Sequence, residues 1–291
     1  MPEPLLPSPL TELRDPRLSA KGTRLWLKRD DLVHPFLPGN KWRKLRLNLD
    51  EALAAGHRAL LTFGGAYSNH LRAVAAAGRL HRLRTIGVVR GEERLPLNPS
   101  LSYAVGQGMT LDYLDRAAYR RKRTPPVLDA LRERWGEVFV IPEGGANAAG
   151  VRGCAEVTAE LDVQLPGGYD HVVTAVGTGA TLAGLAHGLT AGRSAVGVCV
   201  LKGAQDLIAD VERLQVEAFG RACGDWTLDH RFHHGGFARS TPQLREFVAG
   251  FAERHGVELE PVYVAKALHA ILEGGLGAGR RLVFLVTGPP M

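Results

Sequence analysis

The sequence is poor in cysteine and has no long apolar run, and each shortage excludes a class of protein. Three cysteines in 291 residues (Cys154, Cys199 and Cys223), with no CxxC pair, exclude a disulfide framework and predict reduced, mostly buried thiols. No apolar run approaches the ~18 residues of a membrane span, and the proline-rich start lacks the order of a signal peptide. We therefore expect a soluble, cytoplasmic protein with no membrane partner.

Low complexity and nucleic-acid binding are also disfavoured by composition. The 35 glycines and 17 prolines fall short of the roughly 25–30% share that marks low-complexity chains, and 45% of residues are hydrophobic. The formal net charge is +6, and the densest basic stretch is 116–123. Without basic residues interleaved with aromatics elsewhere, we expect no nucleic-acid partner. An anionic small molecule would explain the charge, and a solvated helix face explains the stretch best.

Short β-rich runs alternate with longer amphipathic or alanine-rich runs, which predicts an α/β protein with doubly wound parallel sheets. Several of the β-rich runs are nearly all apolar, as in strands buried on both faces. The predicted strands are Arg24–Lys28, Ala59–Phe63, Thr85–Val89, Thr110–Leu114, Glu137–Ile141, His171–Val176, Ala195–Val200 and Arg281–Val286. The predicted helices span 41–55, 69–80, 98–107, 125–135, 149–164, 180–190, 204–221, 241–255 and 263–273.

Three glycine-containing loops lead from a predicted strand into a helix, at 64–70, 141–147 and 177–184. Ligands in such sheets lie beyond the carboxyl ends of the strands, and free N–H groups at a helix start bind anions. Each loop alone is equally consistent with a tight turn. Because the loop at 177–184 has neither GK[ST] nor GxGxxG spacing, ATP and NAD are poor candidates for its ligand.

Lysine is scarce, with 7 among the 36 basic residues, and one lies in a Gly39-Asn40-Lys41 turn at a predicted helix start. Lysine can form a Schiff base, whereas arginine cannot. The helix N-terminus and the cations Arg43 and Lys44 would disfavour a protonated Lys41 and make its amine more nucleophilic. The alternative is a surface lysine in a basic first turn, and the spacing alone favours that alternative.

Five motifs together decide between these alternatives. In chain order they are Leu27–Leu32, Gly39–Leu45, Ser68–His70, Ile141–Asn147 and Gly177–Gly184. With these motifs the sequence resembles the pyridoxal-phosphate enzymes of the D-cysteine desulfhydrase and 1-aminocyclopropane-1-carboxylate deaminase family, from about residue 25 to 288. The resemblance implies the tryptophan-synthase-β-like fold, with two doubly wound parallel-sheet domains, and pyridoxal 5'-phosphate as cofactor.

The resemblance assigns a role to individual residues around the cofactor. Lys41 is similar to the lysine that binds the cofactor aldehyde, and Asn69 to the asparagine beside its 3-hydroxyl. Thr287 matches the hydroxyl-bearing turn near the pyridine nitrogen. The loop that holds the phosphate is matched by Gly177, Thr178, Gly179, Ala180 and Thr181.

The same resemblance implies the substrate-side residues. Ser68, Asn69 and His70 match the loop that receives the substrate carboxylate, and Tyr263 matches a tyrosine near the cofactor ring. Lys41, Ser68 and Tyr263 are therefore the expected catalytic residues. For Tyr263 the alternative is a core aromatic residue that opens a helix.

The family's fold implies a large cofactor-binding domain from 1–47 plus 145–291, a small inserted domain at 48–144, and a homodimer. The sequence departs from the family at Ala66-Tyr67, where Ile-Gln is usual, and at Ala180, where Gly or Ser is usual. It also ends at Pro289-Pro290-Met291, where the family continues with a second glycine. Because of this shorter C-terminal segment, we expect either a more open site or a narrower range of substrates.

Two positions bear on the reaction. The deaminase branch has Ser-Asn-Gln in the substrate loop and a glutamate after the tyrosine, whereas this chain has His70 and Val264. We therefore predict a lyase that eliminates sulfide from D-cysteine or a related β-substituted D-amino acid, giving pyruvate and ammonia. Ring-opening deamination of the cyclopropane substrate, or cofactor binding with little catalytic activity, are the alternatives.

Two further classes of enzyme find weak support. A metal hydrolase could use His230, His233 and His234 with Cys223, but no HExxH spacing accompanies them, so we expect no metal. A serine hydrolase would use Ser68 as nucleophile, yet the surrounding residues do not form a GxSxG elbow.

Overall fold

The computed structural model of the chain describes residues 3–37 and 39–289; Pro38, and Pro290 and Met291 of the expected short end, lie outside them. The strands of the described residues are β1 (Leu10–Leu13), β2 (Arg24–Lys28), β3 (Ala59–Gly64), β4 (Arg84–Arg90), β5 (Met109–Leu114), β6 (Phe139–Ile141), β7 (His171–Val176), β8 (Ser194–Cys199), β9 (Trp226–Asp229) and β10 (Arg281–Leu285). The α-helices are α1 (Pro16–Ser19), α2 (Asn40–Ala54), α3 (Asn69–His81), α4 (Pro99–Gly106), α5 (Arg116–Arg120), α6 (Pro125–Trp135), α7 (Ala148–Gln164), α8 (Ala180–His187), α9 (Leu207–Phe219), α10 (Pro242–His255) and α11 (Val264–Leu272).

The strands form two sheets, with orders β1-β2-β10-β7-β8-β9 and β5-β4-β3-β6. Every pairing is parallel except that of β1 with β2, which is antiparallel. The predicted α/β class with two parallel sheets is confirmed, and the antiparallel edge is the exception. Strands β1 and β9 were not predicted, because both are four-residue edge strands with no fully buried position, so neither has a continuous apolar run.

Helices cover both faces of each sheet, as a doubly wound architecture requires. On β7, Val172 belongs to the core shared with α7, α8 and α9, and the next residue, Val173, belongs to the core shared with α10 and α11. On β3, Leu60 belongs to the core shared with α2, α3 and α4, and the next residue, Leu61, belongs to the core shared with α5 and α6. Alternate residues thus face opposite cores, which is why the central strands read as continuous apolar runs.

The inserted domain expected at 48–144 stays a prediction. The strands of the four-stranded sheet lie between residues 59 and 141, and those of the six-stranded sheet lie before 29 and after 170. The expected boundary at 47/48 falls inside α2, a continuous helix from Asn40 to Ala54. One helix therefore runs across the proposed junction.

A buried ion cluster fixes the start of α2 against the six-stranded sheet. Arg43 is fully buried; its Nε lies 2.7 Å from Oδ2 of buried Asp30, and its Nη1 lies 2.8 Å from Oε1 of Glu160 on α7. Lys28 of β2 contacts the other oxygen of Glu160 at 2.5 Å. At Gly153 of α7, an added Cβ would lie 2.1 Å from the Arg43 carbonyl oxygen, so α2 and α7 approach at backbone distance.

Arg43→Met should lower the free energy of unfolding by about 3–5 kcal/mol, because it leaves the buried Asp30 carboxylate without its cation and Glu160 with Lys28 alone. Urea denaturation followed by circular dichroism measures this change. The matched control is Arg132→Met, which breaks an exposed pair with Asp129 and should cost less than about 1 kcal/mol. Similar midpoints for both variants would contradict a stabilising role for the cluster.

Candidate active site

A cavity of about 540 Å³ opens where loops follow the carboxyl ends of strands from both sheets. Almost all of the residues expected at the site line it. These are Lys41, Ser68, Asn69, His70, Gly177, Thr178, Gly179, Thr181, Tyr263 and Thr287. The side chain of Ala180 is instead buried in the core under α8. The structure thus brings together residues from four of the five motifs, whereas the Leu27–Leu32 motif does not line the cavity.

Lys41 lies in the first turn of α2 with its amine held by a side-chain relay. Its Nζ donates to Oδ1 of Asn40 at 2.8 Å, and Nδ2 of Asn40 donates to Oγ1 of Thr181 at 3.0 Å. Enclosure by protein, and secondly the nearby Lys44 ammonium, lower the pKa of Lys41 to about 7. Arg43, expected from the sequence to lower this pKa as well, is instead paired with Asp30 and Glu160.

Lys44 is a buried cation that sequence analysis treated only as a neighbour of Lys41. It lies one turn along α2, lines the same cavity and is 4% exposed. Among residues 3–37 and 39–289 no carboxylate lies within 4.0 Å of its amine. Burial lowers the pKa of Lys44, and an anion in the cavity would stabilise its charged form, so Lys44 is suited to bind one. Its spacing of three from Lys41, which places both on one helix face, is the signal that could have found it.

The loop at 177–181 offers a second set of anion contacts in the cavity that Lys44 lines. It runs from the end of β7 into α8, whose first N–H groups have no partner within the helix. Gly179 has φ 86°, and an added Cβ would lie 2.8 Å from Cγ2 of Val211 on α9, so glycine is needed for conformation and for space. Thr178 and Thr181 also line the cavity, and their hydroxyl groups can donate to an anion there.

Ser68 caps α3 and leaves its own proton available. Its Oγ accepts from the backbone N–H of His70 at 3.2 Å and of Leu71 at 3.3 Å. These bonds occupy the oxygen lone pairs, so the hydroxyl proton can be donated into the cavity. Together with the N-terminus of α3, this donor is suited to a carboxylate.

His70 is buried beside Ser68 and is neutral. Burial, with Lys41 and Lys44 nearby, holds the pKa of His70 well below its ordinary value. Its Nε2 lies 2.8 Å from Oγ1 of Thr62 on β3. His70 can therefore contact a substrate through hydrogen bonding but contributes no positive charge.

Tyr263 and Glu260 form the wall next to the phosphate-type loop. Burial raises the pKa of the Tyr263 phenol, and an added Cβ on Gly177 would lie 3.1 Å from its ring. Glu260, which was not predicted to be a site residue, is a buried carboxylate that lines the cavity. It accepts the N–H groups of Val262, Tyr263 and Val264 at 2.9, 2.6 and 3.1 Å. Burial raises the pKa of Glu260 despite these bonds.

Thr287 joins the end of β10 to the start of α2. Its carbonyl accepts from the N–H of Asn40 at 3.1 Å, and an added Cβ on Gly39 would lie 1.9 Å from that oxygen. Only glycine at position 39 permits this approach. The turn after β10 is thereby held beside Lys41.

The residues considered for other functions do not gather into a site. Cys223 contacts His187 at 3.1 Å, whereas His234 bonds Oγ1 of Thr241 at 3.0 Å. Within 3–37 and 39–289, no group of three or more His, Cys, Asp or Glu is placed to hold a metal. In the same ranges, no helix combines the length and hydropathy needed to cross a bilayer.

Comparisons with known proteins point to one family. The family model described as pyridoxal-phosphate dependent enzyme matches residues 3–288. A Thermotoga maritima protein named putative 1-aminocyclopropane-1-carboxylate deaminase is 33% identical over 98% of this chain and 94% of its own length. An Arabidopsis thaliana protein named bifunctional D-cysteine desulfhydrase/1-aminocyclopropane-1-carboxylate deaminase, mitochondrial, is 30% identical over 97% and 76%. A crystal structure titled as an ACC deaminase homologue superposes with a TM-score of 0.85, at 27% identity over 99% and 91%.

The lowered pKa of Lys41 makes covalent capture of pyridoxal phosphate dependent on pH. Only the neutral amine attacks an aldehyde, so the capture rate of the apoprotein should rise with pH and level off above about 7. Stopped-flow absorbance measures the rate. Lys44→Met removes a neighbouring positive charge, so it should move the midpoint to higher pH.

Borohydride reduction followed by peptide mapping identifies the lysine that reacts. We expect the pyridoxyl mass on Lys41, and Lys41→Arg should abolish it. A label on Lys44, Lys202 or Lys266, or a midpoint near the ordinary lysine value, would refute the assignment.

Proposed function

The chain belongs to the family of pyridoxal-phosphate-dependent enzymes, and from that premise we propose that it eliminates the β-substituent of D-cysteine or a related D-amino acid. The products would be pyruvate, ammonia and sulfide. One observation carries the proposal: a single cavity holds a lysine of lowered pKa, a phosphate-type loop and a carboxylate-type helix start. A Klebsiella pneumoniae relative named D-cysteine desulfhydrase, 29% identical over 92% of this chain and 86% of its own length, supports the choice of substrate.

The residues of the cavity fit the cofactor. Lys41 would bind its aldehyde, Lys44 and the loop at 177–181 its phosphate, Asn69 its 3-hydroxyl and Thr287 its pyridine edge. The buried, unpaired Lys44 ammonium is the feature that most requires an anion of this kind. When bound, pyridoxal phosphate supplies an electron sink for the charge that develops at Cα.

The chain's own groups would move and hold the protons. Lys41 Nζ, with a pKa of about 7, can accept the Cα proton near neutral pH, and Asn40 Oδ1 orients it. The Ser68 hydroxyl donates to the substrate carboxylate and so positions Cα. Tyr263 stays protonated because burial raises its pKa, so it acts as a hydrogen-bond donor rather than as a base.

Ring-opening deamination is the second candidate, since it is named in the Thermotoga and Arabidopsis relatives. Val264, expected to bear on this choice, packs in the core rather than in the cavity. Glu260 does bring a carboxylate to the cavity, but three backbone N–H groups already hold it. Because those bonds hold the carboxylate against the backbone at the start of α11, we favour elimination. Cofactor binding with little turnover is the third candidate.

We further propose a homodimer in the cytoplasm. Small amino acids fit this family of enzymes, whereas the dimer rests on the resemblance and the location on the composition of the sequence. Light scattering coupled to size-exclusion chromatography tests the homodimer, and fractionation of the source cells tests the cytoplasmic location.

The purified holoenzyme should release sulfide and pyruvate from D-cysteine and form little 2-oxobutyrate from 1-aminocyclopropane-1-carboxylate. Chromatography of the 2-oxo acids, with the L-enantiomer in parallel, measures both reactions. Dominant 2-oxobutyrate would make the deaminase the correct assignment. A loaded cofactor without turnover of any D- or L-amino acid would favour the third candidate.

Ser68→Ala should lower kcat/KM for D-cysteine by about 10–100-fold, the usual cost of a lost hydrogen bond to a charged group. The cofactor absorbance should change little, because Ser68 is assigned to the substrate. Loss of the helix cap would also cost about 1 kcal/mol of stability. Ser68→Asp separates the two effects, since it preserves the cap but repels a carboxylate. Restored activity in Ser68→Asp would mean that Ser68 acts only as a cap.

A further inference from the structure

Two arginines line the substrate end of the cavity and have no role so far. Arg90 is the last residue of β4, and an added Cβ on Gly65, next to Ser68, would lie 3.8 Å from its Nη2. Arg72 follows Ser68 by one turn of α3, so both side chains share a helix face. Both guanidinium-bearing side chains contribute to the cavity wall.

Neither guanidinium is neutralised by the protein. Within residues 3–37 and 39–289, no carboxylate lies within 4.0 Å of Arg72 or Arg90. The Cζ of Arg72 lies 4.7 Å from the Tyr103 ring, and that of Arg90 lies 6.0 Å from the Tyr119 ring. Nε of Arg72 is buried with no hydrogen-bond partner. An aromatic ring orients a guanidinium but leaves its charge available for an anion.

The two acids of the cavity are already occupied. Glu143 contacts Lys122 Nζ at 3.0 Å, and Glu260 accepts three backbone N–H groups. The substrate end therefore has a surplus of positive charge. Such a surplus in a cleft attracts anionic ligands and strengthens their binding.

The other anions expected in the cavity have their own partners. The cofactor phosphate is assigned to Lys44 and the loop at 177–181, and the substrate α-carboxylate to Ser68 and the start of α3. We propose that Arg72 and Arg90 form a subsite for a second negative charge, carried by the β-substituent of the substrate. The inference rests on the proposed elimination. The proposed substrates are amino acids whose β-substituent carries a tetrahedral anionic group, such as a phosphate ester or an S-sulfonate.

The elimination from such substrates balances without a further reactant except water. The Cα proton passes to Lys41 Nζ, the Cβ–O or Cβ–S bond breaks, and its electron pair leaves with phosphate or thiosulfate. Water then converts the unsaturated amino acid to pyruvate and ammonia. The guanidinium groups would hold the leaving anion by charge-assisted hydrogen bonds.

The experiment compares kcat/KM of the holoenzyme for D-cysteine, O-phospho-D-serine and S-sulfo-D-cysteine, with the L-enantiomers in parallel. We expect at least one anionic substrate to exceed D-cysteine by tenfold or more. Arg90→Gln, at an exposed position that tolerates substitution, should lower the ratio of anionic to neutral substrate by about 10–100-fold. Arg72→Gln should act in the same direction. Arg254→Gln on α10 removes the same charge away from the cavity and should leave the ratio unchanged.

The outcomes separate this inference from the proposed function. Turnover of D-cysteine with no anionic preference would overturn the subsite but not the elimination. An equal loss for all substrates in Arg72→Gln and Arg90→Gln would place the arginines at the α-carboxylate instead. If no amino acid reacts, the elimination fails. Binding then tests the subsite, with the Kd of O-phospho-D-serine and of D-serine measured from the cofactor absorbance. Wild type should bind the phosphorylated compound more tightly than D-serine, and Arg90→Gln should lose this preference.

Discussion

The buried pairing of Arg43 with Asp30 and Glu160 is the interaction on which the site depends. A guanidinium with no exposure must keep its partners, so the first turn of α2 has one allowed position between β2 and α7. On the opposite side of that turn, Lys41 and Lys44 face the cavity. The ion cluster therefore does no chemistry itself. It fixes the direction in which two other cations point.

Close backbone contacts bring the remaining parts of the site to that turn. Gly39 lets the Thr287 carbonyl reach the Asn40 amide, and Gly153 lets α7 lie against the Arg43 carbonyl. A side chain at either position would occupy the space of a carbonyl oxygen. Because both contacts involve backbone, they hold three distant segments together whatever fills the cavity.

The sequence predicted best what depends on local pattern. The bounds of β2 and β7 match the prediction residue for residue, because each is a mostly apolar run next to turn residues. Edge strands β1 and β9 were not predicted, since their partly exposed positions do not form a continuous apolar run. A different reason applies to the charged cavity residues Lys44, Glu260, Arg72 and Arg90. Whether a charge has a partner depends on tertiary contacts, and spacing along the chain reports at most a shared helix face, as for Lys41 and Lys44.

The same dependence on tertiary contacts explains why Arg43 does not lower the pKa of Lys41 as expected from the sequence. From sequence, Arg43 and Lys44 were equivalent neighbouring cations, but the fold pairs one with carboxylates and leaves the other unpaired beside the amine. Burial is the largest cause of the lowered pKa, and burial is a property of the closed cavity rather than of the helix start. A reactive lysine in this fold is thus produced by enclosure first and by like charge second. The Gly39-Asn40-Lys41 turn places the amine, and the surrounding loops make it reactive.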